Sequence, residues 1–92
     1  MSYELHFKPQ ALKEWHKLDN SIQKQLKKKL KERLINPKVA SDKLSGFENV
    51  YKIKLRNAGY RLAYEVQNEI IVVLVLKVGK RDKFYKNLES ST

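Results

Sequence analysis

Between residues 51 and 56, apolar Tyr51, Ile53 and Leu55 alternate strictly with basic Lys52, Lys54 and Arg56. A period of two fits an extended strand with one apolar and one cationic face. Asn57, Ala58 and Gly59 supply turn chemistry. Alternation then resumes over residues 60–66, with Tyr60, Leu62, Tyr64 and Val66 on one side and Arg61 and Glu65 on the other. Such a pair of strands reads as a hairpin. Matching apolar face to apolar face puts Leu55 opposite Tyr60 or Leu62, and therefore Arg61 opposite Lys54 or Arg56. In either register Lys52, Lys54, Arg56 and Arg61 share one patch of sheet, where like charges repel. A fold keeps such a patch either as a solvated surface or because an anion completes it.

The rest of the chain frames this hairpin. Residues 2–7 place Tyr3, Leu5 and Phe7 on one side and predict a first strand. Pro9 suits the first turn of a helix. Ala11, Trp15, Leu18, Ile22, Leu26, Leu30 and Leu34 follow at helical spacing. Asp19, Asn20 and Ser21 interrupt them with residues that favour N-caps. Two helices are predicted, at 9–18 and 21–35, the second stopping before Pro37, with a loop over 36–46. Gln67, Asn68 and Glu69 make a second tight turn. Residues 70–76 are apolar throughout, as in a strand covered on both faces, and Gly79 is expected to end it. Residues 82–89 form a short helix or tail. The predicted class is α+β: an N-terminal strand, a two-helix hairpin, then a three-stranded antiparallel meander, with the helices on one sheet face and the basic side chains on the other.

Ninety-two residues leave room for one domain, spanning residues 1–92. Lys and Arg number 20 and Asp and Glu 10, a formal net charge of +10 that opposes compaction and attracts polyanions. Cysteine is absent, which excludes disulfide frameworks, cysteine-ligated metal sites and thiol nucleophiles. His6 and His16 have no evident ligand partners, so neither a metal nor a cofactor is expected. The run 70–76 is too short to span a bilayer, and neither a signal peptide nor a lipidation motif is evident. The expectation is a cytoplasmic protein with no membrane partner. Nucleic acid is the first partner class and an acidic protein the next.

The stretches ALKEWHKL, QLKKKLKE, KLSG, YKIKLRNAGYRLAYEV and VGKR follow one another in an order that resembles the RelE toxins of bacterial toxin–antitoxin pairs. The resemblance covers nearly the whole chain. It implies an endoribonuclease that cuts messenger RNA in the ribosomal A site without a metal. It also implies a RelB-like antitoxin, acidic and partly disordered alone, and contact with operator DNA only through the toxin–antitoxin complex. The family's active-site cations fall on Lys52, Lys54, Arg61 and Arg81, and its late tyrosine on Tyr85. Ser45 departs from relatives that carry a basic residue there, which implies a different substrate affinity or codon preference.

Each of these residue types has a chemical use. Cleavage requires the 2′-hydroxyl to lose a proton, the phosphorane charge to be stabilised and the 5′-oxygen to be protonated. Arg61 offers a planar fork to phosphate oxygens. Arg81 would contact the scissile phosphate and assist the leaving group. Lys52, with Lys54, is the candidate base or its electrostatic helper, since neighbouring cations push a lysine pKa down. Tyr85 would stack on a base and orient the 2′-hydroxyl.

Lys24, Lys27, Lys28, Lys29, Lys31 and Arg33 make a basic helix run, read either as a wet helix face or as a ribosomal RNA contact. Arg56, Lys80 and Lys83 extend the RNA-facing candidates. Trp15, Tyr51, Tyr64 and Phe47 are expected in the core. Two other readings compete. ParE toxins share a similar fold and poison DNA gyrase, but generally lack the full set of lysine pair, two arginines and late tyrosine. A plain basic nucleic-acid-binding module would predict no cleavage.

Overall fold

A computed structural model describes residues 2–80 and Phe84. Lys8 is extended and Pro9 takes the first helical position, so its missing N–H costs no hydrogen bond. The first strand, β1 (Glu4–Phe7), therefore passes directly into α1 (Pro9–His16). Ala11 is fully buried under α1, and Trp15 lies against Phe7 with ring centroids 5.4 Å apart. After a short turn, α2 (Asn20–Ile35) buries Ile22, Leu26 and Leu30, one turn apart. Asp19 sits at its N-cap. Its carboxylate accepts from the Ser21 hydroxyl (2.9 Å) rather than from the helix amides. The helix stops two residues before Pro37, as the proline restriction predicts.

A 3-10 turn (Ala40–Asp42) occupies the predicted loop and leads to β2 (Val50–Leu55), β3 (Tyr60–Gln67) and β4 (Val72–Lys80). The sheet order is β1-β4-β3-β2, with β1 parallel to β4 and the other pairs antiparallel. The α+β class is as predicted. The hairpin takes the first of the two possible registers, with Leu55 opposite Tyr60 and Lys54 opposite Arg61. Gly59 closes its turn at φ 69°, a conformation that suits glycine.

The last strand departs from expectation. Ile70 and Ile71 belong to the turn, 64% and 40% exposed, with Ile71 at φ 55°. An apolar run alone does not separate a turn from a strand. Gly79 does not end β4; it pairs with Arg61 inside it. The register passes from Ala63–Lys77 to Tyr64–Val75, which leaves Leu76 as the extra residue of a bulge. The bulge switches the alternation, so Val73, Val75 and Val78 meet the helices while Leu76 turns to the other side. The Glu14 carboxylate on α1 fastens this place, accepting from Lys77 Nζ and from the Val78 N–H, each at 3.0 Å.

The principal core lies between the helices and one sheet face, with Ile53, Leu55, Leu62, Tyr64, Val73 and Val75 among its members. The opposite face is not wholly basic, contrary to expectation. Leu44, Val50, Ala63, Leu76 and Phe84 form a second, smaller core there, with Phe47 and Leu74 at its margin. This cover explains the apolar stretch in β4: the strand is buried from both sides. Residues 82–89, predicted as a short helix or tail, lie outside the described residues apart from Phe84, which is helical and buried.

Candidate functional site

Period-two geometry carries Lys52, Lys54 and Arg61 onto the open part of the sheet, beyond the small second core. Lys54 and Arg61 are direct cross-strand partners, and Lys52 is paired with Ala63 one step along the same face. All three are partly exposed. Arg56 follows just after the strand end, exposed, and adds to the field on Lys54. The Lys54 ammonium is held below its ordinary pKa, first by the Lys52 charge, then by lost hydration, then by Arg61 and Arg56. Crowded cations thus leave more of this lysine in the neutral form, the only one that can accept a proton, than an isolated lysine would have at the same pH.

Two clefts meet here. One, about 290 Å³, is lined by Lys54, Leu55, Arg56, Gly59, Tyr60 and Arg61. Its neighbour, about 280 Å³, shares Lys54, Leu55 and Arg56 and continues round the sheet edge to Asn57 and to Gln25 and Lys29 on α2. The lining thus combines guanidinium and ammonium groups with the tyrosine Tyr60, a set that suits a phosphodiester. Glu65 shares this face further along β3, where Gln67 Nε2 donates to its carboxylate (2.8 Å). Among the described residues, no group of three His, Asp or Glu side chains is placed to hold a metal ion.

The other predicted residues distribute as follows. Lys80 is exposed at the end of β4, opposite Tyr60 across the strand pair. Lys24, Lys27, Lys28 and Lys31 are exposed along α2, and Lys29, also exposed, lines the cleft. Arg33 does not belong with this run. It is partly buried and bound to Asp42, Tyr64 and the Lys52 carbonyl, so it is no wet-face cation. Nothing local in the sequence joins Arg33 to Asp42 across a helix end, and the pairing is visible only in the fold. Ser45 is exposed in the loop before β2. Arg81, Lys83 and Tyr85 lie outside the described residues. Among the described residues, no helix is long and apolar enough to cross a membrane.

A four-stranded sheet backed by two helices, with a cationic patch at one end of the open face, is the architecture of a class of small bacterial toxins. The fold superposes on the isolated Escherichia coli RelE toxin with a TM-score of 0.87 at 47% identity, covering 97% of this chain and 95% of that one. It also matches the toxin-like chain in the intact E. coli RelBE toxin–antitoxin complex, with a TM-score of 0.85 at 52% identity over 86% and 96% of the two chains. In sequence it is 52% identical, over 83 residues, to the mRNA interferase toxin RelE of E. coli strain K12, covering 90% of this chain and 87% of that protein. The family model for the ParE toxin of type II toxin–antitoxin systems matches residues 5–85. The chain therefore belongs to this toxin family, as one of its RelE-like members.

Proposed function

We propose that the protein is an mRNA interferase toxin: an endoribonuclease that cleaves messenger RNA in the ribosomal A site and stops translation, and that a RelB-like antitoxin neutralises. The observation that carries this reading is the cross-strand pair Lys54 and Arg61, with Lys52 beside them on one open face, in a chain so similar to RelE. The gyrase-poisoning alternative offers no use for a lysine whose proton affinity is lowered by design of its surroundings.

Arg61 holds the scissile phosphate and stabilises the charge that grows on it. Lys54, eased toward its neutral form, takes the 2′-hydroxyl proton, with Lys52 supplying the field. The 2′-oxygen then attacks phosphorus, the P–O5′ bond breaks to leave a 2′,3′-cyclic phosphate, and the departing 5′-oxygen takes a proton from water. Arg81 contacts the phosphate and assists that departure, and Tyr85 stacks on the substrate base. Lys24, Lys27, Lys28, Lys31, Arg56, Lys80 and Lys83 face ribosomal RNA. No metal is used. Lysine and arginine form a weak acid–base set, so the ribosome contributes by orienting the message; orientation alone is worth roughly 7–11 kcal/mol. The toxin acts in the cytoplasm, and meets operator DNA only when bound to its antitoxin.

Programmed ribosomes read by primer extension test this. The expected result is cleavage in the A-site codon that persists in EDTA with polyamines preserving the ribosome, while naked RNA stays intact. Uncut message after exposure to folded toxin overturns the reading.

A further inference from the structure

We propose that Arg33 is a positioning residue for the cationic site, gripping the backbone of β2 at Lys52 and thereby setting where the Lys52 and Lys54 side chains stand. The proposal rests on the catalytic reading of that face.

Strand β2 lies at the edge of the sheet, so its outward carbonyls have no strand partner. Two of them are met individually. The Val50 carbonyl accepts from the Leu44 N–H (2.9 Å), and the Lys52 carbonyl accepts from Arg33 Nη1 (3.2 Å). The same Nη1 donates to the Tyr64 hydroxyl (2.9 Å), which donates onward to the Pro37 carbonyl (2.7 Å). Nη2 is paired with the Asp42 carboxylate. The guanidinium carbon also stands 5.9 Å from the centre of the Tyr64 ring. One side chain therefore joins α2, the 3-10 turn, β3 and the backbone of β2.

The side chains of Arg33 and Asp42 are only 15% and 27% exposed, so their charges are partly desolvated and count for more than a surface pair. Burial alone would lower the Arg33 pKa, but the Tyr64 hydroxyl and the Asp42 carboxylate outweigh it and the net shift is upward. The fork stays charged and keeps its geometry. A structural tie anywhere in the fold would suffice for stability. This one closes on the residue whose ammonium contributes most to lowering the Lys54 pKa. A strand that slides by 1 Å at this point costs up to about a hundredfold in rate, because the reacting groups lose alignment.

Arg33→Met and Arg33→Lys test the assignment in the full chain. Three quantities are read: thermal midpoint, single-turnover cleavage on programmed ribosomes below that midpoint, and the Lys54 Nζ titration followed by NMR in the free toxin. Arg33→Met is expected to slow cleavage at least about tenfold with ribosome binding unchanged, and to move the Lys54 midpoint up toward its ordinary value. Arg33→Lys, which keeps the charge and one donor to the carbonyl, is expected to recover part of both, and it serves alone if the methionine variant does not fold. A lowered thermal midpoint with wild-type cleavage and an unmoved Lys54 titration would make Arg33 a stabilising residue only and overturn the proposal. If the wild-type toxin itself leaves the message uncut, the catalytic reading fails, and the Lys54 titration still decides whether Arg33 positions the strand.

Discussion

The two faces of the sheet are made by the same strands and live under opposite rules. Toward the helices, Ile53, Leu55, Leu62, Tyr64 and Val66 are buried in one continuous core. On the other side, their immediate neighbours Lys52, Lys54 and Arg61 crowd like charges where no hydrophobic gain offsets the repulsion. Between these extremes sits the small cluster around Ala63 and Phe84, which closes the half of the open face that the cations leave. The lesson is a division of labour by strand parity. Apolar burial on one face stabilises the sheet, and that margin lets the other face hold cations that repel one another.

If the division is real, neighbouring residues on one strand must fail in opposite ways. Arg61→Ala is expected to cost roughly 10²–10³ in cleavage rate, the scale of losing a stabiliser of developing charge. Its urea midpoint should move far less than that of a core variant, because Arg61 is partly exposed. Arg81→Ala is expected to lose cleavage on a similar scale. Full cleavage by both variants would remove the site from this face. Leu62→Ala, one residue along, should do the reverse: about 2–5 kcal/mol of stability lost in urea titration, with ordinary cleavage per folded molecule. A Leu62 variant that folds well but does not cut would erase the contrast.

The pH dependence probes the open face alone. The folded Lys54 pKa is lowered, so the charged form is the costly one, and the cost disappears as pH rises through that lowered value. Stability should therefore improve slightly, and single-turnover cleavage should rise, on the alkaline side but below the ordinary lysine value of 10.5. Lys54→Arg keeps the charge at every accessible pH and should flatten the rise in rate. A profile identical in both proteins would exclude Lys54 as the base. The smallest effect lies far from the site. Ile71 holds a left-handed conformation that β-branched residues resist. Ile71→Asn should stabilise by up to about 1 kcal/mol, measured in urea, with no change in cleavage.

Much of this was legible before any coordinates. The period of two in β2 and β3 is so regular that the shared cationic face follows from it, whereas the choice between Lys54 and Arg56 as the partner of Arg61 comes only with the fold. Pro9 and Pro37 bound the helical stretch because a missing amide and a restricted preceding residue act locally. What escaped depends on contacts distant in sequence. Ile70 and Ile71 look like strand residues because Gln67, Asn68 and Glu69 mark the turn but nothing local shows where it ends. The bulge at Leu76 arises from pairing with β3 and leaves no local signature. The basic run on α2 reads as uniform, yet the fold sends Lys29 to the cleft and buries Arg33 against Asp42 and Tyr64. Helical spacing identifies which residues share a side, but not what waits opposite them.

The position of β4 has a temporal consequence. It is the last of the described strands to be synthesised, yet it lies between β1 and β3 and hydrogen-bonds to both. Until it emerges, β1 has no neighbour and the helices have half a floor to rest on. A chain that stops short of residue 72 therefore cannot assemble this sheet, because the strand that ties its two ends together is missing.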